Sequence, residues 1–184
     1  MTIELTYSKF CSEVSERSFS QVSKCYQCNK CSNGCPITYT ADIQPNQIMR
    51  LIQLGQKERV LKSKFIWICA SCQTCSTRCP MEIDIANVMN TLREMSVENN
   101  MVNQEQKLVF LFHKMFLQQI KFFGRLNELS FLALLKAGSM DKNYMFSDLN
   151  LGPKLFFKGK LKLLPTFVHD KKDIKDIFDR IEKR

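Results

Sequence analysis

Cys25-Tyr26-Gln27-Cys28-Asn29-Lys30-Cys31-Ser32-Asn33-Gly34-Cys35-Pro36 is written a second time as Cys69-Ala70-Ser71-Cys72-Gln73-Thr74-Cys75-Ser76-Thr77-Arg78-Cys79-Pro80. Both copies read C-x2-C-x2-C-x3-C-P, a spacing that holds [4Fe–4S] clusters through thiolates. Eight of the nine cysteines fall in these windows, and Cys11 alone stands outside them. Each iron corner of a cubane needs one thiolate. Three cysteines at two-residue intervals can wrap three corners, but the fourth cannot fold back to the last corner of the same cube. In two-cluster proteins it therefore ligates the other cluster. The expected ligand sets are Cys25, Cys28, Cys31 and Cys79 for the first cluster, and Cys69, Cys72, Cys75 and Cys35 for the second. Pro36 and Pro80 fix φ just after the crossing ligand and end each binding loop.

Other cysteine chemistries fit less well. A structural zinc takes four ligands, usually from two C-x2-C knuckles, and runs of three plus one do not match that pattern. A disulfide framework is disfavoured by the odd count and by the lack of a secretory apolar segment after a basic start. A thioredoxin-like C-x-x-C would occur once, beside a βαβ pattern that this chain lacks. Thiolates used as ligands point to a reducing, cytoplasmic setting.

The 184 residues suffice for one domain, or one domain with an extension. Apolar residues make up 45% and six Gly and five Pro are few, which excludes a turn-rich β-sandwich. The formal charge is +9. Each cluster with its four thiolates carries about −2, so the loaded protein carries about +5. No nucleic-acid-binding module accompanies this charge, and acidic protein partners are the expected counterpart.

Helical patterns fill the chain around the motifs. Ser8 is placed to cap a helix through Phe10, Cys11 and Val14, with Cys11 a small buried apolar residue. The 33 residues from Pro36 to Ile68 decide the fold. Within them Pro45 stands at a first-turn position, apolar residues recur with helical spacing, and Gly55 sits at the stop. A shorter helix is expected from Gln56 to Leu61, and Phe65-Ile66-Trp67-Ile68 leads into the second motif as a cover for a cluster. Asp84 caps a stripe of Ile85, Val88, Met89, Leu92 and Met95. Each half thus runs from cysteines through a loop to a helix, which suggests an internal duplication. Further helices are expected over Gln104–Phe123, ending at Gly124, and over Asn127–Ala137, ending at Gly138. Lys107, Lys114, Lys121, Arg125 and Glu128 interrupt the apolar run short of the ~18 residues of a membrane span. Met1–Tyr7 reads as a short extended arm. Lys154–Lys162 is a basic stretch interleaved with Leu and Phe, and Asp170 is placed to cap a last amphipathic helix.

An all-helical scaffold carrying two such motifs resembles the α-helical ferredoxins. The residues around the cysteines resemble those of the iron-sulfur C subunit of CoB–CoM heterodisulfide reductases. The same motifs also occur in quinone-linked iron-sulfur subunits of fumarate reductase and glycerol-3-phosphate dehydrogenase, but no further cysteine-rich module is present here. The resemblance implies an all-α fold with residues 1–100 as a two-cluster ferredoxin domain. Residues 101–184 would be a helical, aromatic-rich extension with a basic tail for subunit docking. It further implies an electron-transfer subunit of an oxidoreductase, without catalytic residues of its own. Electrons would pass from a flavin-containing subunit to the catalytic subunit, where Cys-Cys-Gly motifs reduce the CoM-S-S-CoB heterodisulfide of methanogenesis. The resemblance also allows a hydrogenase or formate dehydrogenase in the larger complex. This chain has neither a Cys-Cys pair nor a Gly-rich dinucleotide fingerprint. The remaining alternatives are a quinone-linked relay subunit and a free-standing soluble ferredoxin.

Overall fold

The computed structural model describes residues 8–139, 168 and 171–182, and every regular element among them is helical. The arm at Met1–Tyr7, the basic stretch Lys154–Lys162 and the cap at Asp170 lie outside the described residues. The chain divides into two compact units between Lys107 and Leu108.

The first unit is built on three amphipathic helices. In α1 (Lys9–Arg17) the Ser8 hydroxyl accepts from the Cys11 N–H at 3.2 Å and donates to the Ile52 carbonyl at 3.2 Å. One side chain therefore caps α1 and ties it to the end of α3. Phe10, Cys11 and Val14 are buried beneath it. In α3 (Pro45–Gln53), Pro45 occupies the first turn, where its missing N–H costs nothing. The Gln47 side chain accepts from the Gln44 N–H at 2.9 Å, and Ile48, Met49, Leu51 and Ile52 are buried. The helix ends in a Schellman motif. Gly55 turns at φ +72° and donates to Ile52 O, while Gln56 donates to Leu51 O.

Two short helices, α4 (Lys57–Leu61) and α5 (Phe65–Ile68), return the chain to the second motif. Asp42 starts α5 by accepting from the Ser63 hydroxyl at 2.9 Å, Lys64 N–H at 2.7 Å and Phe65 N–H at 2.9 Å. Nothing in the local sequence pattern marked that role, because Asp42 acts across more than twenty residues. The third amphipathic helix, α7 (Ile85–Glu98), is capped by Asp84, which accepts from the Asn87 N–H at 3.1 Å. Its Ile85, Val88, Met89, Leu92 and Met95 join the α3 residues in the core.

The second unit comprises α8 (Lys107–Phe123), α9 (Glu128–Ser139) and α10 (Lys171–Glu182) among the described residues. Gln104–Gln106 is a 3₁₀ turn leading into α8, so the α-helix starts three residues later than its pattern suggests. Phe112 and Phe131 meet edge to face at 5.0 Å, and Ser130 donates to the buried Gln119 at 2.8 Å. Gly138 does not end α9, which runs on to Ser139. The glycine instead allows close packing, since a Cβ there would lie 3.2 Å from the Leu111 side chain. No helix among the described residues is long and apolar enough to cross a membrane.

Candidate metal centre

The two cysteine runs adopt one backbone conformation, repeated position for position. Two residues after the first cysteine the chain turns left-handed, at Gln27 (φ 64°) and Ser71 (φ 50°). Four residues after it the chain does so again, at Asn29 (φ 64°) and Gln73 (φ 63°). Single helical turns follow, α2 (Lys30–Asn33) and α6 (Thr74–Thr77), with Cys31 and Cys75 inside them. The crossing cysteines come next, with Cys35 N–H donating to Ser32 O and Cys79 N–H to Ser76 O, both at 3.2 Å. These one-turn helices have no apolar period, and their left-handed entries are polar rather than glycine. Sequence patterns therefore passed over them.

The repeat continues in the supports. The Ser32 hydroxyl accepts from the N–H of Asn46, the second residue of α3, at 3.0 Å. The Ser76 hydroxyl accepts from the N–H of Ala86, the second residue of α7, also at 3.0 Å. Gln53 and Arg93 are each the ninth residue of their helix and hold the approach to each motif. Gln53 Nε2 donates to the carbonyls of Val22 at 3.2 Å, Ser23 at 3.3 Å and Cys25 at 2.9 Å. Arg93 donates to the carbonyls of Ile66 and Cys69, which occupy the same offsets as Val22 and Cys25. It also reaches Ser71 Oγ at 3.3 Å and Asn90 Oδ1 at 2.9 Å. α2 and α6 pack against one another, and equivalent residues meet there. Gly34 lies under the Arg78 side chain, where a Cβ would stand 2.6 Å from Nη1.

None of the nine cysteines is in a disulfide. Cys35, Cys69, Cys72 and Cys75 line one cavity, walled by Phe65, Ile85, Ala86 and Met89. In the other group, burial pushes the Cys25 thiol up, and the nearby Cys79 and Cys28 thiolates push the same way against Gln27 hydrogen bonds. Cys31 is likewise raised by burial, with the Cys25 charge adding to it. Burial raises Cys75 to about 11, whereas hydrogen bonds from Thr74 lower the exposed Cys72. Backbone N–H groups of Gln27, Ser32, Thr74 and Ser76 bond the sulfurs of Cys25, Cys31, Cys72 and Cys75. Cys11 is buried in the core, its thiol raised by burial.

Four thiols around one apolar-walled cavity, with amide donors aimed at the sulfurs, fit a polynuclear iron–sulfur cluster. A single zinc would draw its ligands to about 2.3 Å from one centre. No three Cys, His, Asp or Glu among the described residues are grouped closely enough to hold one ion.

Residues 24–84 match the family described as "4Fe-4S dicluster domain". The chain is 31% identical over 97 residues to the iron-sulfur C subunit of the Methanopyrus kandleri CoB–CoM heterodisulfide reductase, covering 53% of this chain and 50% of that protein. It is 34% identical over 77 residues to the C subunit numbered 2 in Methanocaldococcus jannaschii, covering 42% of this chain and 41% of the relative. Against the C subunit of the ferredoxin:CoB-CoM heterodisulfide reductase of Methanosarcina acetivorans the identity is 32% over 90 residues, covering 49% and 36%. The chain thus spans about half or less of the length of these curated relatives. Residues 24–84 match the 4Fe-4S dicluster family and bind two [4Fe–4S] clusters, in a chain that is helical among the described residues and similar over about half its length to the iron-sulfur C subunit of heterodisulfide reductase.

Proposed function

We propose that this chain is the electron-relay subunit of a cytoplasmic heterodisulfide reductase complex. It would take electrons from a flavin-containing subunit and deliver them to a Cys-Cys-Gly-type subunit that reduces the CoM-S-S-CoB heterodisulfide. Cys25, Cys28, Cys31 and Cys79 hold one cluster, and Cys69, Cys72, Cys75 and Cys35 the other. The observation that carries the ligand assignment is the cavity that Cys35 of the first motif shares with the three leading cysteines of the second.

When bound, the clusters supply one-electron transfer. The protein's part is to bind, shield and tune. Eight thiolates fill the coordination positions and leave none for a substrate. Phe65 and Met89 keep water from the second site, and the amides of Thr74 and Ser76 stabilise negative charge on its sulfurs. Docking is assigned to residues 101–184, where Phe122, Leu117, Ile177 and Ile181 are exposed apolar side chains.

Iron analysis of the purified chain is expected to give about eight irons per polypeptide, and EPR of the reduced protein two interacting S = 1/2 centres. About four irons would remove the two-cluster assignment. Isolation from the native source is expected to bring down a flavoprotein and a Cys-Cys-Gly protein. Recovery as a lone chain would point to a soluble shuttle instead.

A further inference from the structure

The two halves repeat their supports and differ in charge at one of them. Gln53 and Arg93 occupy the same helical position and bind carbonyls at the same offsets from the first cysteine. Either side chain can make these bonds, as the structure itself demonstrates, so holding the loop does not explain a cation at one site. Arg93 is partly buried, and no ion pair among the described residues involves it. Burial lowers its affinity for the proton, while the charge of the Cys69 thiolate and a hydrogen bond to that side chain act in the opposite direction. Guanidinium nonetheless stays protonated in proteins. The cations beside the first motif, Lys24 and Lys30 in sequence and Arg78 in space against Gly34, are exposed. Water and salt screen them far more than a charge set into the protein.

Reduction adds one electron to a cluster and, in the simplest case, makes and breaks no bond. A fixed positive charge close by favours the reduced form. We propose that Arg93 sets the redox order of the two sites, giving the cluster held by Cys69, Cys72, Cys75 and Cys35 the higher midpoint potential. An electron entering the chain then comes to rest beside α7. The proposal rests on the ligand assignment given under the proposed function.

The test is an EPR-monitored redox titration of the full-length, cluster-loaded chain, with Cys28→Ser and Cys72→Ser used to assign each signal. In the unaltered protein the signal changed by Cys72→Ser is expected at the higher potential. Arg93→Gln, which copies the Gln53 arrangement, is expected to lower that potential by about 59 mV, a tenfold change in the one-electron equilibrium, and to leave the other in place. Arg93→Lys, which keeps the charge, is expected to retain most of the unaltered value. The proposal is overturned if the Cys72-linked signal lies lower in the unaltered protein. It is equally overturned if Arg93→Gln leaves the gap unchanged, or if Arg93→Lys falls as far as Arg93→Gln. Should Arg93→Gln fail to load, the order in the unaltered protein and the Arg93→Lys value still decide. If Cys28→Ser and Cys72→Ser change the same signal, the ligand assignment fails. An unmoved potential with two separately assigned signals leaves that assignment standing and removes only the role of Arg93.

Discussion

Ser8 and Gly55 meet where the end of α3 closes on the start of α1. A Cβ at Gly55 would lie 2.9 Å from Ser8 Cβ, and the backbone there is left-handed at φ +72°. Gly55→Ala thus combines a conformational cost of about 1–2 kcal/mol with displacement of the α1 cap. A melting midpoint several degrees below that of the unaltered protein is expected. An unchanged midpoint would mean that the contact gives way freely. Gly55 and Ser8 were both readable from sequence, because a helix stop and a cap are local chemistry. Asn29 and Gln73 were not. Their left-handed backbone is imposed by the loop that wraps a cluster, and nothing in a polar side chain announces it.

Among the elements, the long amphipathic helices were legible and the single turns were not. α1, α3 and α7 carry caps and a full apolar period, whereas α2, α5 and α6 have four residues each, too few to show one. What sets α2 and α6 in place is a serine bonded to the next helix. Ser32 is 3% exposed and Ser76 is half-buried. Ser32→Ala leaves the Asn46 N–H without its acceptor and is expected to cost about 1–2 kcal/mol. Ser76→Ala should cost less, since Asp84 continues to cap α7 from the Asn87 N–H. Comparison of the two thermal midpoints checks the order, and a larger loss at Ser76 would contradict it.

For the molecule as a whole, the cysteine spacing specified two clusters, while the helical pattern of the 33 residues between the runs, with the resemblance to the α-helical ferredoxins, specified the helical scaffold. The boundary of the extension was less legible. The pattern divides at 100/101, in a stretch without regular structure, whereas the units separate between Lys107 and Leu108. The reason is physical: the 3₁₀ turn at Gln104–Gln106 still belongs to the first unit, with the Asn103 amide bonded to Lys62 O at 2.8 Å. A fragment ending at Lys107 retains every cysteine and the whole first core. It is expected to bind the same iron as the full chain while losing co-purification with its partners. Iron analysis of the fragment and a pull-down with tagged fragment check the two halves of that expectation. Loss of iron would assign the extension a part in holding the clusters.

One contact between the halves bears on how such a molecule can arise. Gly34 and Arg78 hold equivalent positions and lie against each other, the glycine leaving the room that the guanidinium fills. Two identical half-chains associating about a symmetry axis would have to present the same residue from both sides. Two arginines would bring like charges together, and two glycines would leave a gap. Covalent linkage of the halves removes that constraint. Within one chain the two equivalent positions are free to differ, and this chain sets a glycine against an arginine where a homodimer of either half would set like against like.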